Sequence, residues 1–186
     1  MNILSIFDEH NVVMRDAAGL APLLDEAAVL MQACLASGHK VLACGNGGSA
    51  ATAQHFVAEL VCRFRDDRRA LAAVALTSDA MTLTAIGNDY GYERVFGRQV
   101  EAIAAPGDVL LAISTSGNSP NVIAAAKAAR SIPCKVIAMT GTDGGALASL
   151  ADLSLKAPSR VVARIQEVHD VCIHALAQTL ETNAVG

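Results

Sequence analysis

Short apolar runs alternate with longer amphipathic stretches along most of this chain. Five runs, in which nearly every residue is apolar, begin near positions 40, 71, 108, 135 and 152. Runs that are apolar throughout, rather than at every second position, are typical of strands that are buried on both faces of a parallel sheet. The predicted strands cover residues 40–44, 71–76, 108–114, 135–140 and 152–157.

Helical patterns fill the intervals between these strands, and two more precede the first strand. Leu23, Leu30 and Met31 recur at helical spacing, for example, and Gly38 ends that pattern. Strands that alternate with helices predict an α/β fold with a doubly wound, five-stranded parallel sheet, of the flavodoxin-like kind, covered by helices on both faces. The predicted helices cover residues 3–16, 20–37, 48–62, 79–86, 92–104, 119–131, 144–150 and 161–182.

The chain contains no linker, repeat or low-complexity segment, so residues 1–186 are interpreted as one domain. Its N-terminal helical pair, residues 1–38, carries so much apolar surface that we expect it to pack on another subunit as well as on its own sheet. The composition is 53% hydrophobic but only 3% aromatic. The core is therefore expected to consist of alanine, valine, leucine and isoleucine.

Charge and cysteine content exclude several classes of protein. The net charge of -4 argues against a nucleic-acid-binding protein that is held by phosphate contacts. The basic cluster at residues 63–69 is interrupted by two aspartates and is interpreted as a solvent-exposed or interface segment. The five cysteines are scattered without a CxxC pair, which indicates neither a disulfide framework nor a thiolate zinc site. With no signal peptide and no apolar run of roughly 20 residues, we expect no membrane partner and a cytoplasmic location.

Three loops at the predicted carboxyl ends of strands are rich in glycine and hydroxyl groups: "GNGGSA" (45–50), "STSGNS" (114–119) and "TGTDGG" (140–145). Glycine lets backbone N–H groups approach an anion, and the helix that follows directs its positive end at that anion. The alternative is that small polar residues merely form tight turns. Two such loops in one sheet favour a phosphate site.

The first loop also fits GxGxxA, the fingerprint of dinucleotide-binding proteins. That fingerprint needs an acidic residue about 20 positions further on, which would hold the ribose. Counting about 20 positions from Gly45 leads instead to residues 65–69, which lie just after a predicted helix and not at the end of the second predicted strand. The hydroxyl-dense loop 114–119 also suits a phosphate monoester better than a pyrophosphate, so the dinucleotide interpretation is disfavoured.

Two predicted helices carry polar residues at helical spacing. His55 and Glu59 are four residues apart and share one face, which taken alone is typical of a surface pair. In "RIQEVHDVCIH", however, Gln166, Asp170 and His174 repeat every four residues on an otherwise apolar helix. Because burying polar groups without partners costs a few kcal/mol, a shared site with the first pair is a reasonable hypothesis.

Five motifs resemble those of the phosphoheptose isomerases, enzymes of the SIS (sugar isomerase) fold. They are "CGNGGSAATAQHFVAEL", "LTAIGNDYGYERVF", "GDVLLAISTSGNSPNV", "TGTDGG" and "RIQEVHDVCIH", in the family's order and spanning about residues 20–182. The resemblance implies isomerisation of sedoheptulose 7-phosphate to D-glycero-D-manno-heptose 7-phosphate, the first step towards ADP- or GDP-heptose. It also implies a homotetramer with active sites at subunit contacts.

The resemblance further implies roles for individual residues. Sugar contacts would come from Asn46, Gly47, Gly48, Asn88 and Asp89, together with Glu59 and Gln166. The phosphate would be held by Ser114, Thr115, Ser116 and Ser119. One zinc ion per subunit would be bound by His55, Glu59, Gln166 and His174, at the mouth of the loop 45–50. Glu59 and His174 would also serve as the acid and base.

Two questions stay open at this level. Gln166 and His174 would lie about 12 Å apart along one straight helix, so either Gln166 precedes the helix or two subunits share the site. The alternative function is that of a non-catalytic relative, resembling the DnaA initiator-associating protein. Phosphosugar-responsive regulators are a third option. Since the relatives of the DnaA type lack Glu59 and His174, their presence here favours the enzyme.

Overall fold

The computed structural model describes residues 2–184, and its five strands form one parallel sheet in the order β2-β1-β3-β4-β5. Within this sheet Val41 pairs with Val109 on one side and with Ala73 on the other. The predicted doubly wound parallel sheet is confirmed. The strands are β1 (Val41–Gly45), β2 (Ala73–Ala75), β3 (Val109–Ile113), β4 (Lys135–Thr140) and β5 (Leu153–Lys156).

Helices cover both faces of the sheet, because successive residues of each strand point to opposite sides. In β3, Leu111 faces one apolar cluster and Leu110 faces the other, and both side chains are fully buried. The first cluster includes residues of α2, α3 and α8, and the second includes residues of α5 and α6. The helices are α1 (Ile3–Ala17), α2 (Ala21–Ala36), α3 (Gly48–Val61), α4 (Ala80–Tyr90), α5 (Gly97–Ile103), α6 (Pro120–Ser131), α7 (Gly145–Ala148) and α8 (Val162–Ala184).

Three predicted elements differ most from the observed ones. The helix predicted at 79–86 continues four residues further, to Tyr90, in α4. The strand predicted at 71–76 is shortened to three residues, because β2 lies at the sheet edge and pairs with β1 alone. The helix predicted at 92–104 is divided into a 3-10 turn at Tyr92–Arg94 and α5. Val95 and Phe96, between the two parts, are buried in the core. At Gly97 a Cβ atom would lie 3.3 Å from the backbone of Ala124, so glycine allows α5 to approach α6 closely.

None of the residues Ile3–Ala17 in α1 is buried. The helix lies against α8, where Arg164 donates a 2.8 Å hydrogen bond to the carbonyl of Ile6 and His10 contacts Glu167 at 2.7 Å. Its side chains Ile3 and Phe7 are 73% and 61% exposed. The expected contact with another subunit requires an exposed apolar surface, and α1 provides one.

By length and composition, the stretch Ile3–Ala36 is apolar enough to cross a membrane, although no membrane is part of the structure. This finding differs from the expectation drawn from the apolar runs. The stretch is interrupted by a 3-10 turn at Ala18–Leu20. Its second half, α2, buries Ala27 and Met31 completely against the sheet, and core helices of this kind pass the same test.

The prediction that the segment 63–69 faces solvent or an interface is wrong for the side chain of Arg68, which is only 1% exposed. Its guanidinium group turns inward and donates hydrogen bonds to the carbonyls of Glu59 and Leu60, in the last turn of α3. Carbonyls in the last turn of a helix have no N–H partner within the helix. The guanidinium group of Arg68 is buried because it donates to these carbonyls.

Candidate active site

The crevice of the sheet lies between β1 and β3, where the strand order reverses and ligands bind in folds of this type. The loop after β1 and the first turn of α6, which border it, are joined by a reciprocal amide pair. Asn46 Nδ2 donates to Asn121 Oδ1, and Asn121 Nδ2 donates to Asn46 Oδ1, both at 2.8 Å. Tyr92 donates a further hydrogen bond of 3.1 Å to Asn46 Oδ1. The side chain of Asn46 is therefore fixed at the mouth of the crevice.

The loop 114–119 presents its hydroxyl groups at the start of α6. Ser114 Oγ and Ser119 Oγ are 2.9 Å apart, and Ser114 is 4% exposed. Gly117 has a φ of +66°, and a Cβ atom there would overlap the carbonyl oxygen of Gly144. Glycine at this position thus lets the second and third glycine-rich loops pack together.

A cavity of about 320 Å³ opens between these two loops. Thr115 and Ser116, both predicted phosphate ligands, line it, and so does Arg160. A larger cavity of about 580 Å³ lies beside α6. Because no predicted site residue is among those that line the larger cavity, the smaller one is the better candidate for part of the substrate site.

A second group of predicted residues meets between α3 and α8. His55 Nε2 is 3.0 Å from Glu59 Oε1 and 3.4 Å from His174 Nε2. The two imidazole rings pack edge to face, with centroids 4.9 Å apart. His55 is exposed, whereas the side chain of Glu59 is 21% exposed. The structure therefore brings together three of the four predicted zinc ligands, which we call the His–Glu–His group.

Gln166 does not reach this group within one chain. It lies against Gly48, where a Cβ atom would overlap the glutamine amide. Because α8 is continuous from Val162, the possibility that Gln166 precedes the helix is excluded. The rise of an α-helix separates Gln166 from His174 by about 12 Å and the start of α3 from His55 by about 10 Å. The hypothesis of a site shared between subunits remains.

Imidazole nitrogens and a carboxylate oxygen are ligands that zinc takes in proteins. Two of the distances between these atoms also suit zinc. Ligands 2.0–2.1 Å from a tetrahedral ion are about 3.3 Å apart, close to the 3.0 and 3.4 Å contacts that His55 makes with Glu59 and His174. Among residues 2–184, however, no three His, Cys, Asp or Glu side chains surround one common ion position. The His–Glu–His group is thus an incomplete set in this chain, and zinc stays a prediction.

Two of the remaining predicted residues make no hydrogen bond to the loop 114–119 or to the His–Glu–His group among the described contacts. Asn88 and Asp89 are exposed near the end of α4, where Asn88 Nδ2 donates to Asp89 Oδ1 at 2.7 Å. Gly47 is also exposed, with a φ of +55° at the turn before α3. Their predicted contacts with sugar hydroxyls stay predictions.

Sequence reasoning missed three polar contacts of the site. No local sequence pattern predicts the pairing of Asn121 with Asn46, because the two residues are 75 positions apart in the chain. Thr52 donates a 2.7 Å hydrogen bond to Asp170 and thereby joins α3 to α8. The position of Asp170, four residues from Gln166 and from His174, was the available signal for that contact. Burial lowers the pKa of the neighbouring His169, which contacts the carbonyl of Thr140 at 3.1 Å and is neutral at pH 7.

The chain matches the family model of the SIS domain over residues 7–141. It is 54% identical over 158 residues to the phosphoheptose isomerase of Aliarcobacter butzleri, which covers 85% of this chain and 84% of that protein. The structure of phosphoheptose isomerase GmhA from Neisseria gonorrhoeae superimposes with a TM-score of 0.92 at 48% identity, over 97% of both chains. A phosphoheptose isomerase structure from Francisella tularensis superimposes with a TM-score of 0.94 at 41% identity, over 97% of this chain and 96% of that one.

Proposed function

We propose, since this chain belongs to the phosphoheptose isomerase family of SIS-domain proteins, that it interconverts sedoheptulose 7-phosphate and D-glycero-D-manno-heptose 7-phosphate. The observation that carries this proposal is the His–Glu–His group, because it places a carboxylate and an imidazole in one network between α3 and α8. A carboxylate and an imidazole are the groups that proton transfer beside a carbonyl requires.

The reaction moves a carbonyl group from C2 to C1 of the heptose. A base removes a proton from C1 of the ketose while the carbonyl oxygen at C2 takes up a proton, and an enediol forms. The hydroxyl group at C1 then loses its proton as a proton is delivered to C2, which leaves the carbonyl group at C1. Glu59 and His174 are assigned to these transfers. The order in which they act as acid and base is left to the pH profile of the reaction.

The phosphate is assigned to the loop 114–119. Ser114 and Ser119 direct their hydroxyls at one another across 2.9 Å, and both can turn to donate to a phosphate oxygen. The positive end of α6 begins immediately afterwards at Pro120. On the other side of the crevice, Asn46 is fixed by its amide pair and is assigned to the sugar.

Zinc is proposed as a bound ion with His55, Glu59 and His174 as ligands from one chain. When bound, it would supply a Lewis acid for the oxygens of the substrate. Gln166 is proposed to join this set from a neighbouring subunit, because it lies two helical turns from His174 in its own chain. This arrangement requires at least two subunits, and the homotetramer of the proposal is expected to form partly through the exposed apolar face of α1.

The test is incubation of the protein with sedoheptulose 7-phosphate and detection of the aldose. Formation of the heptose 7-phosphate with turnover is the expected result. The non-catalytic alternative predicts no aldose, even though the phosphosugar binds. Five free thiols, four of them buried, accord with the proposal that the reaction runs in the reducing cytoplasm.

A further inference from the structure

A buried carboxylate near the end of α8 holds the segment that follows α3, residues 62–69 ("CRFRDDRR"). Glu181 is 3% exposed and accepts hydrogen bonds from the backbone N–H groups of Phe64 at 2.8 Å, Arg65 at 2.8 Å and Asp66 at 3.0 Å. Burial opposes its ionisation, but these bonds outweigh that effect and lower the pKa of Glu181. The side chain is therefore an anion at neutral pH and fixes the backbone of the segment.

Arg68, in the same segment, holds the end of α3. It donates hydrogen bonds of 2.6 Å to the carbonyl of Glu59 and 2.8 Å to that of Leu60. Its Nε atom lies 3.8 Å from Glu181 Oε1, so the two buried charges compensate each other. A cation at this place also complements the negative end of the helix. The backbone that carries Glu59 is thus tied to the segment.

Phe64 carries the contact to the second catalytic side chain. Its ring centroid is 5.6 Å from that of His174, within the range of an aromatic pair. The His55 ring packs against the His174 imidazole edge to face. The backbone N–H of Phe64 is the group that Glu181 Oε1 holds at 2.8 Å. Phe64 therefore links a buried anion to the orientation of His174.

We propose that Glu181 and Arg68 are positioning residues of the isomerase, which act through the segment 62–69 to orient Glu59 and His174. The inference rests on the proposed function, from which these two side chains take their roles. Displacing a catalytic group by about 1 Å can lower the rate by about 100-fold. A segment that is anchored at both ends and touches both groups limits such displacement.

The first test is Glu181→Gln. The glutamine oxygen can keep the bonds from Arg65 and Asp66, but its NH₂ group then faces the N–H of Phe64, and that bond is lost. We expect kcat to fall about 10- to 100-fold. The KM for sedoheptulose 7-phosphate should change by less than about threefold, because the phosphate loop is untouched.

Phe64 offers a conservative pair of variants. Phe64→Leu keeps apolar bulk but removes the ring face from His174, and we expect a fall in kcat like that of Glu181→Gln. Phe64→Tyr keeps the ring and should retain the parent kcat. A role in stability alone would predict similar kcat values for both variants at a temperature where both are folded.

Asp108→Asn is the matched control. Asp108 is fully buried and, like Glu181, accepts backbone hydrogen bonds, here from Lys40 at 3.0 Å and Ala105 at 2.8 Å. These bonds do not involve the segment 62–69. The variant should lower the melting temperature as Glu181→Gln does, while kcat stays within about twofold of the parent.

A readout that needs no turnover separates this inference from the proposed function. The Cε1–H resonance of His174, assigned by its loss in His174→Gln, should move in Glu181→Gln, which keeps the Phe64 ring, and stay in place in Asp108→Asn. An unmoved resonance, or a parent-like kcat in Glu181→Gln, overturns the positioning role. If the parent forms no aldose, the proposed function fails, and the resonance still decides whether the segment orients His174.

Discussion

Replacing Ser119 by alanine tests the assignment of the phosphate to the loop 114–119. The hydroxyl of Ser119 lies 2.9 Å from that of Ser114, at the first residue before α6. A hydrogen bond from a neutral donor to a charged phosphate contributes about 1.5–3 kcal/mol. With about 1.4 kcal/mol for each factor of ten, Ser119→Ala should raise KM by about 10- to 150-fold.

The assay is initial-rate kinetics with sedoheptulose 7-phosphate, together with a direct measurement of phosphosugar affinity by calorimetry. Ser131→Ala is the control, because Ser131 is exposed at the other end of α6 and its hydroxyl bonds to the carbonyl of Lys127 at 3.1 Å. That variant should match the parent in KM. If Ser119→Ala keeps the parent KM and affinity, the phosphate lies on another loop.

Three further predictions concern stability, assembly and the crevice. Burial opposes ionisation of Asp108, but hydrogen bonds from Lys40 and Ala105 outweigh it and lower the pKa below its ordinary value of 3.8. The ionised Asp108 therefore stabilises the fold fully above its ordinary pKa, and this stabilisation is lost as pH falls through the lowered pKa. Asp108→Asn should remove this contribution, so a melting temperature that falls with acid as steeply as the parent's would contradict the assignment. Phe7→Asp places a charge on the exposed face of α1 and should dissociate the proposed tetramer in light scattering, whereas a monomeric parent would contradict the proposed assembly. Asn121→Ala removes both bonds to Asn46 and should lower kcat/KM about tenfold, from about 1.4 kcal/mol of lost hydrogen bonding; an unchanged value would contradict the role of the amide pair in positioning Asn46 for the substrate.

The parallel sheet could be predicted from the sequence, because strands buried on both faces must be apolar at every position. Leu110 and Leu111 show this in adjacent residues that enter different cores. The short edge strand β2 could not be predicted in its length, since the apolar run there continues beyond the pairing with β1. The division of the predicted helix 92–104 depends on the close approach of α5 to α6 at Gly97, which is a tertiary contact.

The candidate site was predictable where its residues share a helix face. His55 and Glu59, four residues apart, do contact one another. The inward turn of Arg68 was not predictable, because its partner Glu181 is more than a hundred residues away and the local pattern is one of mixed charge. The resemblance to the family grouped Gln166 with His174, but a continuous α8 separates them within one chain. Their spacing of eight residues along one helix was the signal in the sequence for a site shared between subunits.

The central claim is that Glu59 and His174 move a proton between C1 and C2 of a heptose phosphate. Isomerisation of sedoheptulose 7-phosphate in D₂O, followed by mass spectrometry and NMR, tests it most directly. The account predicts an aldose with deuterium at C2, and a rate about 10²- to 10⁴-fold lower in Glu59→Gln, the range for loss of a general acid or base. No aldose from the parent, or parent-rate turnover in Glu59→Gln and His174→Ala, would contradict it.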